Sequence, residues 1–162
     1  MDRLVPLQGA EIPASSGSID FQEFFPGMKV VVDHAFRGFI KEPGSEYRAP
    51  PLYCNIYQLR SGSWVDDGAV ERFGGAVLAE ARIVCSLLKY LGGEGNALLA
   101  IPAGAPDENV ILGYVQVTRT LRFVLFVEHQ KDSRGVEEIH LHAREANRWN
   151  DRAPKIVVVV GK

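Results

Sequence analysis

Only one stretch of this 162-residue chain repeats its apolar residues at the spacing of an α-helix, and the runs after it alternate at the spacing of a strand. The helical stretch is Ala69–Leu91. The strand-like runs after it are Ala97–Ile101, Val110–Thr118, Leu121–His129, Val136–Arg144 and Ile156–Val160; Met28–Ile40 and Leu52–Leu59 precede it. Parallel neighbours need a crossover of a dozen or more residues, usually a helix, and a chain with one helix cannot supply several. The pattern predicts an α+β fold in which a strongly curved antiparallel sheet wraps one long central helix.

On a wheel of 100° per residue, Glu71, Arg72, Arg82, Ser86 and Lys89 fall within an arc of about 100°, the wet face. Glu80 falls opposite, among Ala69, Phe73, Ala76, Val77, Val84, Leu87 and Leu91. A charge on that stripe costs several kcal/mol unless it is paired, hydrogen-bonded or protonated. Three expectations are open: an acid at the floor of an apolar cleft, a structural carboxylate neutralised by Arg119 or Arg122 of the sheet, or a helix rotated or kinked relative to the wheel at Gly74–Gly75. The pair Gly74–Gly75 lets a ligand or another backbone come close, with amides free to polarise a carbonyl.

Residues 1–27 carry Pro6, Gly9, Pro13 and a Ser15–Ser18 segment interrupted by Gly17, which reads as an irregular lead-in to a single domain over 28–162. A turn is expected at Glu42–Pro43–Gly44. Asp66 and Asp67 supply N-caps for the helix, and Gly92–Gly93 end it with residues that permit a left-handed conformation. The formal charge of −2, from 18 basic and 20 acidic residues, argues against a nucleic-acid partner. Cys54 and Cys85 read as reduced, packed thiols of a cytoplasmic protein. No stretch reaches the roughly 18 apolar residues that span a bilayer, so no membrane association is expected.

The runs LRFVLFV (Leu121–Val127) and IVVVV (Ile156–Val160) want cover on both faces, and one helix covers one face. A homodimer is the economical way to cover the other, with a core strand in a monomer as the alternative. On the run Val136–Arg144, the residues Glu138, His140, His142 and Arg144 share a face. His129 joins them as a third metal ligand in one hairpin register and leaves them in the register one residue away. The plainer reading is a solvated polar stripe. His34, after Asp33, is a candidate partner for Glu80 in acid–base work. No phosphate-cradling glycine loop, nucleophile elbow or HExxH is present.

The stretch VVVDH at Val30–His34, the turn at Pro43–Gly44, a second strand and the helix opening GGAVLAEA at Gly74–Ala81 resemble the bacterial β-hydroxyacyl-ACP dehydratases of the hotdog fold. Their PG-x4-E/D-A helix start corresponds to Gly75, Glu80 and Ala81. The position of the family's motif histidine is Val70 here, and Gly74 stands in place of its proline. The resemblance implies a hotdog-like homodimer that takes an acyl chain carried on acyl carrier protein or CoA. Glu80 would be general acid or base and His34 a substitute base. Phe73, Gly74, Gly75 and Val77 would line the substrate site. The expected chemistry is dehydration or hydrolysis of an acyl thioester, without a cofactor. The competing expectation is a non-catalytic binding or assembly module with Glu80 merely ion-paired. A remoter one is a metal hydrolase built on His129, His140 and His142.

Overall fold

The computed structural model describes residues 4–40, 45–59, 80–96, 108–118, 121–131, 133–145 and 155–160. Nine strands and three helices lie within them: β1 Leu4–Ile12, β2 Ser15–Ser18, α1 Phe21–Phe24, β3 Lys29–Val32, α2 His34–Phe39, β4 Glu46–Ala49, β5 Leu52–Leu59, α3 Ala81–Gly92, β6 Glu108–Gln116, β7 Arg122–Lys131, β8 Glu137–Glu145 and β9 Lys155–Val160. The class is α+β. The expected strand Ala97–Ile101, the turn at 42–44 and the caps Asp66 and Asp67 lie outside the described residues, as does the first half of the expected helix.

Seven strands form one sheet in the order β1-β5-β9-β6-β7-β8-β3, and β2 pairs with β4 in a second, small sheet. The large sheet is mixed, which corrects the antiparallel expectation: β6 runs parallel to β9, and β3 parallel to β8. Counting helices misled because these parallel neighbours lie far apart in sequence. No short β-helix-β crossover is needed. The run of four valines in β9 occupies an interior place between β5 and β6, where strands read as continuous apolar runs.

Residues 4–27 are not an irregular lead-in. β1 pairs with β5 from Leu4↔Leu59 to Ile12↔Leu52, and Ile12, Ile19, Phe21, Phe24 and Phe25 are buried in the main core. Pro6 and a register shift between Pro6 and Gln8 blunt this outer edge rather than preventing a strand. The expected strand Met28–Ile40 divides at Asp33. Its carboxylate accepts from the Phe36 amide at 2.7 Å and starts α2. Gln22 ties α1 to β3, donating to the Met28 carbonyl at 2.6 Å and accepting from the Val30 amide at 3.2 Å.

α3 buries Val84, Leu87, Leu88 and Leu91, each contributing about 1.5–3 kcal/mol by removal from water. It packs on α1 and β4. Gly92 is needed there because a Cβ would overlap the Phe24 carbonyl. Gly93 caps the C-terminus, so the helix ends at the expected pair, but neither Gly92 nor Gly93 is left-handed. The helix ends where α1 crowds it. Ser86, expected on the wet face, is buried at 1% exposure.

Alternation splits β6–β8 into two buried surfaces. Val110, Leu112, Leu125, Val127, Ile139, Leu141 and Ala143 join the helices in the main core. Val124 and Phe126, with Ile111, are no more than 1% exposed on the reverse face. The single chain already covers them, so they do not call for a second copy.

Candidate functional site

Glu80 does not lie on the apolar stripe. It is the N-cap of α3, with extended backbone (φ −80°, ψ 142°), and 100° steps do not hold for a residue outside helical geometry. Its side chain is 54% exposed, and the carboxylate accepts from Arg82 Nε at 2.8 Å. His34 is exposed in the first turn of α2, and no contact joins it to Glu80 among the described residues. Phe73, Gly74, Gly75, Val77 and Arg119 lie outside the described residues.

The chemistry-bearing side chains gather elsewhere, on the reverse face of the sheet. In the β7–β8 register Phe126 faces His142 and Glu128 faces His140. Parallel β3 sets Lys29 beside Glu138 and Val31 beside His140, so Asp33, one step beyond β3, arrives at His142. The same register places His129 opposite Ile139. It therefore lies on the other face from His140 and His142, 3.7 Å from Glu137. The three-histidine metal set does not converge, and no group of three or more metal-ligating side chains is found among the described residues.

His142 is held at both ring nitrogens. Nδ1 lies 3.2 Å from Asp33 Oδ2, and Nε2 lies 3.4 Å from Glu128 Oε2. The ring stacks on Phe126, with centroids 5.2 Å apart, and on His140, 5.8 Å away. Glu128 raises the His142 pKa above the ordinary histidine value. Burial opposes the rise, and Asp33 adds to it. Reciprocally, His142 holds Glu128 below the usual carboxylate range against burial, with help from Gln130 and Arg144. Gln130 donates to Glu128 at 2.7 Å, and His140 meets Glu138 at 2.9 Å. With both nitrogens engaged, His142 favours the imidazolium, a proton store rather than a free base.

A second feature is a cleft of about 230 Å³ between the β1–β2 corner and the last turns of α3. Ile12, Pro13, Ala14 and Tyr90 supply much of its wall, and Ser15 and Ser86 its hydroxyls. The two hydroxyls are 3.4 Å apart, too far for a good O–H···O bond. Lys89 and Glu94 stand at the cleft too. Burial and the neighbouring Cys54 and Glu94 raise the Tyr90 pKa. Cys54 and Cys85 are buried and form no disulfide. Burial pushes the Cys54 thiol up to about 11, so it is protonated and unreactive at neutral pH.

Sequence reading singled out the Glu-His-His face but missed Asp33 as its partner. The signal available was Asp33 as a cap residue after an apolar run, which marks a helix start. The cleft left no such signal, because its β1–β2 wall reads as irregular chain. No helix among the described residues is long and apolar enough to cross a membrane. Compared with known proteins, the chain matches no family model, no curated protein and no solved structure.

Proposed function

We propose that this domain binds, rather than transforms, an apolar acyl-type ligand, and that the cleft between the β1–β2 corner and α3 receives it. The observation that carries the reading is the make-up of the cleft. Its walls are mainly apolar, one buried helix hydroxyl, that of Ser86, lies in it, and the Lys89 ammonium stands beside it. Small-ligand sites combine apolar walls with a few placed polar groups in this way. The acyl assignment comes from the resemblance of the Met28–Leu91 region to hotdog-fold dehydratases. A CoA or acyl-carrier thioester presents a phosphate that Lys89 complements.

Binding is preferred to catalysis because the acid role of Glu80 called for a desolvated carboxylate, and Glu80 stands in water against Arg82. Calorimetric titration with octanoyl-CoA tests the proposal. Ala14, an exposed cleft residue, is the place to block it. Wild type should bind, and Ala14→Trp should weaken binding at least about tenfold, equivalent to about 1.4 kcal/mol, with unchanged thermal stability. No binding by wild type, or equal binding by the variant, overturns it. Conversion of the thioester during incubation, followed by mass spectrometry, would restore the catalytic reading.

A further inference from the structure

We infer that Asp33, His142 and Glu128 form a proton-controlled latch that fastens the corner between β3 and α2 to the sheet when closed and loosens it when His142 gives up its proton.

Asp33 is the moving part. It directly follows the outer strand β3, and its two oxygens do three things. Oδ1 accepts from the Phe36 amide at 2.7 Å and caps α2. Oδ2 accepts from the Ala143 amide at 3.1 Å and meets His142 Nδ1 at 3.2 Å. The fixed part is β7, an interior strand carrying Glu128. His142 bridges the two, and only the imidazolium has an N–H for each carboxylate. Loss of one proton to solvent leaves a neutral ring with one N–H. One nitrogen lone pair then faces a carboxylate, and the two carboxylates lose the cation between them.

Among the other charges around the ring, Arg144 also favours the ionised Glu128, and this softens the release without reversing its direction. β8 contributes Glu138, His140 and Arg144. Glu138 is paired with His140 and lies 3.9 Å from Lys29 of β3. α2 adds His34 and Arg37, both exposed. Opening is confined to the corner, because Phe36 is fully buried and packs edge-on against Phe21 at 5.4 Å. The direction is release as pH rises: a histidine whose folded pKa is raised contributes fully below its unfolded value and ceases to contribute above the folded one.

Amide hydrogen exchange of the intact chain, corrected for intrinsic base catalysis, reads the latch at Phe36 and Ala143. The His142 ring is titrated by NMR in the same samples. Protection of both amides should fall as His142 deprotonates, by about tenfold for each unit by which its pKa exceeds the ordinary value. Glu128→Gln keeps the shape and removes the charge, and should move the midpoint toward lower pH. Protection that stays flat through the His142 titration, or a midpoint unmoved by Glu128→Gln, overturns the latch. If that variant does not fold, the wild-type titration decides alone.

Discussion

Glu80 and Glu128 each sit against a basic side chain, Arg82 at 2.8 Å and His142 at 3.4 Å, but the first stands in water and the second lies on a covered sheet. The shorter pair is the less consequential one. An exposed ion pair contributes about 0–1 kcal/mol, because water and salt screen it and two flexible side chains must be ordered. The Glu128 side chain is 14% exposed, and that of its partner His142 is 18% exposed. Both are placed by a β-ladder, and the contact shifts the pKa of each group toward the charged form. Environment, not distance, separates a carboxylate that merely decorates a helix start from one that holds a corner of the fold.

The sharpest way to break the buried side of this comparison is Asp33→Ala. It removes the α2 cap, the acceptor for the Ala143 amide and the His142 contact together. Urea unfolding should show a loss of about 2–3 kcal/mol, the sum of a cap and a charge-assisted bond. Glu128→Gln removes one charge and keeps the shape, so its cost at pH 6 should be smaller, about 1–2 kcal/mol.

Stability measured across pH sharpens the comparison further. The Glu128 contribution is present above the ordinary carboxylate value and disappears as pH falls through its lowered folded value. The His142 contribution is full below the ordinary histidine value and disappears as pH rises through its raised folded value. Melting temperature should therefore hold a plateau between the two titrations, and His142→Gln should flatten the alkaline limb. Glu80→Gln is the control with the smallest effect, within about 0.5 kcal/mol of wild type in the same unfolding assay, as expected for an exposed pair. A loss of more than about 2 kcal/mol would return Glu80 to the core argument.

The parts of the fold legible in sequence were those decided by local period. β5, β6 and β8, apart from end residues, follow from alternation of apolar and polar residues, β7 and β9 from short continuous apolar runs, and the buried stripe of α3 from Val84, Leu87 and Leu91. The misses have separate physical causes. β1 and β2 look irregular because Pro6, Gly9 and Gly17 have poor strand propensity, which pairing with β5 and β4 overrides. α2 was hidden inside an apolar run, although Asp33 is a good cap. Glu80 was misplaced by carrying helical angles into an extended residue.

Sequence alone determined which residues share a strand face. His140, His142 and Glu138 stand together on β8 because the pleat has a period of two. Which of them acquires a partner was decided by tertiary structure. A hairpin register puts Glu128 across from His140 and sends His129 to the other side, and a parallel outer strand, distant in sequence, delivers Asp33 to His142. Alternation is a property of one strand, whereas register and strand order depend on what the whole chain can bury.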